Sequence, residues 1–198
     1  MKTPIKIATI EDEFGWQYLI KREVEKENIF KIALATKCGD DFFEQYNHVQ
    51  QPLDFVLLDI NLPCTPCIEV AKRIKKEYPN LPIIVFTSSK HRSDRMDFVS
   101  IEVNYYISKA RITKLHEDLK IIMGLGNSKY KHRLLPIPYN HYHFFELICA
   151  EKTSIEMADI LNVNPKNIDY LQKTICDYYH LNNSKLALMD FVRSYDIM

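Results

Sequence analysis

The sequence predicts an α/β protein in which a five-stranded, doubly wound parallel sheet precedes a small all-α domain. Five short apolar runs within the first 125 residues alternate with segments of helical periodicity. These runs are apolar almost throughout, as expected for strands covered on both faces of a parallel sheet. Beyond Pro138 no strand-like run remains, and four segments have the spacing of helices.

The elements follow one another regularly. Strands are predicted at residues 5–10, 32–35, 55–58, 83–86 and 103–107. Between and after them, apolar spacing predicts helices at residues 14–27, 40–48 and 68–78, a polar helix after Ser89 and a last helix to about residue 123. The all-α part has predicted helices at residues 141–150, 154–161, 165–179 and 184–193.

The glycines indicate where the two parts join. Gly124 and Gly126 are two of only four glycines in the chain, and they open a polar stretch typical of a linker. We therefore expect one domain over residues 1–125, a linker over 126–138 and a second domain over 139–198.

Composition excludes several classes of protein. The 26 basic and 26 acidic residues cancel; 19 basic and 18 acidic residues lie before residue 130, and 7 and 8 lie after it. Neither part has the basic excess typical of a nucleic-acid-binding domain. Five cysteines, an odd number, argue against a disulfide framework, and no apolar run is long enough to span a membrane. We expect a cytoplasmic protein with no membrane partner.

Polar residues end the predicted strands. In an open parallel sheet the carboxyl ends of the strands form the site, and here they carry Glu11, Asp12, Asp59, Thr87 and Lys109. Converging carboxylates repel one another unless a hard cation such as Mg²⁺ lies among them. A lysine and a hydroxyl would bind phosphoryl oxygens, and an aspartate in this setting can act as a nucleophile.

These segments resemble the CheY-like receiver domain of bacterial response regulators, which has a flavodoxin-like fold. The resemblance covers about residues 4–125 and is carried by Ile10-Glu11-Asp12, Leu58-Asp59-Ile60-Asn61-Leu62-Pro63, Val85-Phe86-Thr87-Ser88 and Tyr105-Tyr106-Ile107-Ser108-Lys109-Ala110. It implies that Asp59 accepts a phosphoryl group from a histidine kinase. It also implies a Mg²⁺ site formed by Asp12, Asp59 and the backbone carbonyl of Asn61, with Glu11 supporting the ion through water.

The resemblance assigns further roles around the phosphoryl group. Lys109 would pair with it, and Thr87, followed by Ser88, would form a switch with Tyr106, whose ring turns inward when the threonine hydroxyl moves onto the phosphate. The chain departs from the family pattern in the loops, with Cys67 and Tyr105 at positions where glycine is usual and Ala110 where proline is usual. A receiver fold that is not phosphorylated, and a flavodoxin-like domain whose strand-end residues only cap helices, are the alternatives.

The second domain has the pattern of a helix-turn-helix. Residues 139–197 resemble the four-helix, LuxR-type output domain of response regulators, whose last helix often mediates dimerisation. The recognition helix would contact double-stranded DNA through Lys166, Asn167, Ile168, Asp169, Gln172 and Lys173. Asp169 departs from the family, because an aspartate facing phosphates opposes DNA binding.

The sequence therefore predicts a two-component response regulator that dimerises on activation and binds DNA, rather than an enzyme. One alternative is an adaptor in which the receiver controls a protein–protein contact and no DNA is bound. The other is an aspartate-nucleophile phosphatase, which Asn61 disfavours because such enzymes normally have a second acid there. Cys64 and Cys67 have the C-x-x-C spacing of redox or zinc sites. We interpret them instead as loop residues without a redox or metal-binding role. His132, His141, His143 and His180 are interpreted as packed or surface residues.

Overall fold

The computed structural model describes residues 3–48, 52–88, 101, 103–126 and 139–194. The chain divides into two compact units between Pro136 and Ile137. Residues 127–138, nearly all of the predicted linker, lie outside the described residues, and so does the polar helix predicted after Ser89.

The first unit contains the predicted five-stranded parallel sheet, in the order β2-β1-β3-β4-β5. Its strands are β1 (Ile5–Ile10), β2 (Phe30–Thr36), β3 (Phe55–Leu58), β4 (Ile83–Thr87) and β5 (Tyr105–Ser108). β5 begins two residues later than predicted. The side chain of Asn104 accepts a hydrogen bond from the backbone N–H of Ile83 at 2.9 Å, so a side chain replaces a ladder bond at this point.

The helices of this unit follow the strands, as predicted. They are α1 (Phe14–Val24), α2 (Gly39–Tyr46), α3 (Cys67–Glu77), a 3₁₀ helix (Lys109–Lys114) and α4 (Leu115–Ile122). α1 ends three residues before the predicted end. Glu25 accepts a hydrogen bond from the backbone N–H of Ile32, and Asn28 adopts a left-handed φ of 54°, so these residues form the turn into β2.

The two faces of the sheet form two apolar cores. Along β3, Val56 and Leu58 pack towards α2 and α3, whereas Phe55 and Leu57 pack towards α1 and α4. All four are buried, which is why the strand reads as an uninterrupted apolar run.

The strand order places a crevice next to β1. β2 lies on one side of β1 and β3 on the other, so the connections after β1 and β3 leave in opposite directions. Loops separate at such a switch point and leave room for a ligand at the carboxyl ends of the strands.

The described residues of the second unit, 139–194, form the four helices predicted: α5 (Tyr139–Cys149), α6 (Ser154–Leu161), α7 (Lys166–Tyr178) and α8 (Lys185–Ser194). Thr153 and Glu156 form a reciprocal capping box at the start of α6. Asn162 ends α6 in the left-handed conformation, and His180 adopts the same conformation just after α7. The core of the unit includes Phe144, Phe145, Ile148, Met157, Ala158, Ile168, Ile175, Tyr179, Leu188 and Phe191.

His141 is part of this core rather than a surface residue. Its ring packs edge-on against the rings of Tyr178 and Tyr179, with centroids 5.0 and 5.7 Å away. Burial lowers the pKa of His141 below its ordinary value of 6.5.

We expect the second unit to lose stability in mild acid because of His141. A histidine with a lowered folded pKa stabilises the fold fully above its unfolded pKa, and that contribution is lost as the pH falls through the folded pKa. Thermal unfolding of the whole chain followed from pH 7.5 to 5 should show this loss, and His141→Gln should have a flatter profile. His180→Gln, at an exposed position, is the control. An unchanged slope in His141→Gln would contradict the assignment.

Candidate functional site

Backbone hydrogen bonds bring the two strand-end acids together at the switch point. The N–H of Glu11 donates to the carbonyl of Thr36 and the N–H of Asp59 donates to the carbonyl of Ile10, each at 3.0 Å. The ladder therefore continues one residue beyond β1 and β3. This continuation holds Glu11 and Asp59 side by side at one edge of the sheet.

Lys109 lies between these two acids. Its Nζ is 2.8 Å from Oδ2 of Asp59, to which it donates a hydrogen bond, and 2.7 Å from Oε2 of Glu11. The three residues are 1 to 3% exposed, so the cluster is shielded from bulk water. Two acids and one base leave one negative charge that the cluster itself does not neutralise.

The remaining oxygens of both acids are oriented by backbone groups. Oδ1 of Asp59 accepts a hydrogen bond from the N–H of Ile60 at 2.7 Å, and Oε1 of Glu11 accepts one from the N–H of Glu13 at 3.3 Å. Gln17 in α1 donates to the backbone carbonyl of Glu11 at 2.6 Å. These bonds fix the direction of the carboxylates before any ligand binds.

The pKa of Glu11 reflects its burial in this cluster. Burial raises its pKa from 4.5 to about 7; contact with Lys109 lowers it, and the nearby charge of Asp59 raises it. A carboxyl group that is hard to ionise here is the expected result of low solvation and a like charge.

The acidic residues fit a hard divalent cation. Glu11, Asp12 and Asp59 offer carboxylate oxygens that lie within 4.8 Å of one another. Oε2 of Glu11 is buried and accepts no well-aligned hydrogen bond, although Lys109 is close to it. Oxygen-only donors with excess negative charge are what Mg²⁺ requires, so these residues fit that ion. Asn61 is exposed in the loop that follows.

The predicted switch residues lie in β4, directly after it and in β5. Thr87 is buried at the end of β4 and is the register partner of Ser108, the residue before Lys109. Ser88 is exposed. Tyr106 in β5 is half-buried, and its ring packs against the core on the α2 and α3 face.

Trp16 is a site residue that sequence reasoning missed. It is the one tryptophan in the chain, and its ring centroid is 5.0 Å from Nζ of Lys109. The ring also meets Phe86 edge-on at 6.3 Å. Trp16 is close in sequence to the acidic turn after β1, and this was the feature that could have indicated its role. Sequence reasoning could not use it, because tertiary packing decides which face of α1 points at the sheet.

A family model of the response regulator receiver domain matches residues 7–120, which is more than half of the chain and contains the whole cluster. This chain belongs to the response regulator receiver family. The resemblance inferred from the strand-end residues is thus confirmed, and the first unit is referred to below as the receiver domain.

Curated relatives agree with this assignment. Response regulator Rcp1 of Synechocystis sp. is 30% identical over 130 residues, 62% of this chain and 86% of that protein. Chemotaxis protein CheV2 of Helicobacter pylori is 32% identical over 82 residues, and a probable transcriptional regulatory protein of Picosynechococcus sp. is 24% identical over 113 residues. The chain spans only 26% and 45% of the lengths of these last two proteins.

Solved structures share the fold, two of them over nearly the whole chain. The RcsB response regulator of Salmonella typhimurium is 15% identical, with a TM-score of 0.57, and the match covers 98% of this chain and 100% of that one. A structure of an RcsB–DNA complex is 16% identical, with a TM-score of 0.56 over 96% of this chain and 98% of that chain. A LuxR-family DNA-binding response regulator from Staphylococcus aureus is 24% identical, with a TM-score of 0.54 over 60% of this chain and 98% of that chain.

Mg²⁺ binding to the receiver domain is expected to change the fluorescence of Trp16, because the ring lies beside the cation of Lys109. Asp12→Asn should weaken the Mg²⁺ affinity read from this signal roughly tenfold or more, since a charge about 4 Å from an ion contributes ~1–4 kcal/mol. Glu13→Gln, at an exposed acid outside the cluster, is the matched control. Equal affinities for Asp12→Asn and Glu13→Gln would contradict a Mg²⁺ site at this cluster.

A second group of potential metal ligands in the receiver domain is already paired with a lysine side chain. Glu27, His116 and Glu117 lie together, but Nζ of Lys120 is 3.4 and 3.5 Å from the two glutamates. His116 is fully buried, and its ring nitrogens contact the carbonyl of Val24 and the carboxylate of Glu27. The group connects α4 to the end of α1.

Five of the six residues predicted to contact DNA have side chains outside the core of the second unit. Lys166, Asn167, Asp169 and Lys173 are exposed on α7, and Gln172 is half-buried and donates to Asn183 at 3.0 Å. Ile168 is 1% exposed, so its side chain stabilises the core instead of facing a ligand. Tyr170, which was not predicted as a contact, is 74% exposed on the same helix.

No helix of the described part of the chain has the length and apolar content to cross a membrane.

Proposed function

We propose that this chain is a two-component response regulator that a histidine kinase phosphorylates on Asp59 and that regulates transcription by binding DNA. The observation that carries the first part is the buried arrangement of Asp59, Glu11 and Lys109 at the switch point of a receiver fold. It combines a nucleophilic carboxylate, a lysine held against it and a second acid beside both.

The phosphoryl transfer needs little from the protein beyond positioning. A carboxylate oxygen of Asp59 attacks the phosphorus of the donor, a P–O bond forms, and the bond from phosphorus to the leaving nitrogen of the kinase histidine breaks. Lys109 stays close to Asp59 and offsets charge on the transferred oxygens. Mg²⁺ held by Asp12, Asp59 and the Asn61 carbonyl, supported by Glu11, would supply further neutralisation of those oxygens.

The signal leaves the site through β4 and β5. In the proposed switch the hydroxyl of Thr87 binds the new phosphoryl group and the ring of Tyr106 occupies the space that it leaves. Both residues lie on adjacent strands, and Tyr106 already contacts the core on the α2 and α3 face. The second domain then dimerises and binds DNA.

Phosphate incorporation from acetyl phosphate and Mg²⁺ tests the proposal. Retarded migration of the wild-type chain in a phosphate-affinity gel, absent when Mg²⁺ is chelated, is the expected result. If the wild-type chain is not retarded under any condition, the protein has a receiver fold that is not phosphorylated.

DNA binding is supported by the shared fold with the RcsB–DNA complex and by the basic and amide side chains exposed on α7. An observation in the second domain favours the adaptor instead: residues 139–198 contain 5 basic and 8 acidic residues, and Tyr170 is widely exposed. Since DNA affinity depends heavily on phosphate neutralisation, such a domain would bind DNA weakly.

Reversing the charge at Asp169 should decide between the two. We expect Asp169→Lys to raise affinity for genomic fragments enriched by the phosphorylated wild type roughly tenfold, because a repelled phosphate contact becomes an attracted one. Asp190→Lys, an exposed position on α8, should change affinity less. Failure to enrich any fragment with wild type, Asp169→Lys or Asp190→Lys would favour the adaptor.

A further inference from the structure

Three cysteines lie at or close to the N-terminal ends of α2 and α3. Cys38 lies in the loop that precedes α2, Cys64 lies in the loop that follows β3, and Cys67 is the first residue of α3. None of the three is in a disulfide, and they do not form a metal-binding group among the described residues. The chemistry that remains for these cysteines is a reaction between two of the thiols.

The two loops are held together by packing and by a hydrogen bond. Thr65, next to Cys64, donates through its hydroxyl to the carboxylate of Asp40 at 3.0 Å. Gly39 packs directly on Val70 of α3, where a Cβ would collide with the valine side chain. This close approach of α2 to α3 brings the residue before Gly39 up to the loop that contains Cys64.

Cys38 and Cys64 are brought close to each other as a result. The Cys38 thiol is buried and caps α2, accepting a hydrogen bond from the N–H of Asp41 at 3.5 Å. Cys64 itself is exposed. One member of the pair is therefore accessible to a dissolved oxidant, and its neighbour is shielded.

The shielded thiol is unsuited to react first. The N–H of Asp41 lowers the pKa of Cys38, but burial, the side-chain hydrogen bonds with Asp41 and Cys64 and the charge of Asp41 together raise it above its ordinary value. Thiolates are the reactive form, so Cys38 is expected to react only with a partner already placed against it.

We propose that Cys64 is an oxidation site for hydroperoxides and that Cys38 resolves it into a reversible Cys38–Cys64 disulfide. The Cys64 thiolate attacks the peroxide, an S–O bond forms, the O–O bond breaks and an alcohol or water leaves. The Cys38 sulfur then attacks the Cys64 sulfur, an S–S bond forms and the sulfenic oxygen leaves as water. Two thiols lose two electrons in all, and the peroxide takes them.

The disulfide would act on the phosphorylation site through its loop. Cys64 is five residues after Asp59 in the chain, and the loop between them contains Asn61. Linking Cys64 to the start of α2 restricts this loop. We therefore expect the oxidised receiver to be phosphorylated several-fold more slowly, an expectation that rests on the proposed function.

Hydrogen peroxide treatment of the whole chain followed by a non-reducing peptide map tests the pairing. The expected product is a Cys38 peptide joined by a disulfide to a Cys64 peptide, and dithiothreitol should separate the two. This product should be absent from Cys38→Ser and Cys64→Ser and present in Cys67→Ser. Serine at position 38 retains an oxygen that can cap α2, so this variant should fold. In Cys38→Ser, the sulfenic acid at Cys64 should persist and react with dimedone.

Other products would overturn the proposal. A Cys64–Cys67 disulfide, a disulfide between two chains or the absence of any disulfide would each do so. Acetyl phosphate labelling of oxidised and reduced wild type, with Cys38→Ser as control, tests the regulatory part, and equal rates would refute it. Failure of the reduced protein to label would refute the proposed function while leaving the peptide map to decide the oxidation site.

Discussion

Asp59→Asn should reduce phosphate incorporation from acetyl phosphate to background, the largest change expected from any substitution in the receiver domain. The amide is neutral and a poor nucleophile, so the acyl phosphate bond cannot form. The fold should persist, because the amide oxygen can still accept one of the two hydrogen bonds that Ile60 and Lys109 donate to Asp59, and Lys109 keeps Glu11 as an ion-pair partner. Time courses of retardation in a phosphate-affinity gel measure the effect, and thermal unfolding checks the fold.

Asp54→Asn is the matched control for this substitution. Asp54 and Asp59 flank the same strand, β3, and Asp54 is exposed and accepts a hydrogen bond from the N–H of Lys6 at 2.6 Å. Labelling of Asp54→Asn should match wild type. Equal labelling of Asp59→Asn and wild type would place the phosphoryl group on another residue and end the proposed mechanism.

Lys109→Met should lower the free energy of unfolding of the metal-free protein by about 3–5 kcal/mol, the usual cost of removing one partner from a buried ion pair. Methionine fills the space of the lysine stem but leaves Asp59 and Glu11 facing each other without a cation. Added Mg²⁺ should recover part of the loss by restoring positive charge. Urea denaturation with EDTA and with Mg²⁺ measures both quantities.

The cost of Lys109→Met should grow with pH. The pKa of Glu11 is already about 7, raised mainly by burial. A carboxyl group with a raised folded pKa contributes its full stability below its unfolded pKa and loses that contribution as the pH rises through the folded pKa. Metal-free wild type should therefore lose stability between about pH 4.5 and 7. Without Lys109 the pKa of Glu11 rises further, so the loss should continue to higher pH.

Lys120→Met provides the comparison. Lys120 pairs with Glu27 and Glu117 near the surface, where removal of an ion pair costs about 0–1 kcal/mol. If Lys109→Met costs no more than Lys120→Met, Lys109 is not the structural centre of the acid cluster.

Most of the fold could be predicted because local sequence patterns and tertiary structure agree. The apolar run at residues 55–58 predicts β3 with the bounds it has, since a strand buried on both faces needs no polar residue. Boundaries were less predictable where a side chain forms a backbone-like bond. Glu25 ends α1 early and Asn104 delays β5 in this way, and such bonds depend on residues distant in sequence.

The residues of the site that end strands were also predictable. Acids, a hydroxyl and a lysine at strand ends indicated Glu11, Asp59, Thr87 and Lys109, because parallel strands end at one edge of the sheet. The position of Trp16 and the approach of the Cys64 loop to Cys38 were not predictable. Each depends on which helix face or loop packs against another, and periodicity does not determine that choice.

The sequence by itself determined the order of the strands and helices, the residues at the strand ends and membership of the receiver family, because alternation, apolar burial and motif order are local properties of the chain. Only the tertiary structure decided that Lys109 bridges Glu11 and Asp59 and that the loop of Cys64 lies beside Cys38. These contacts join residues 26 to 98 positions apart, and their geometry arises from close packing of helices and loops on the sheet.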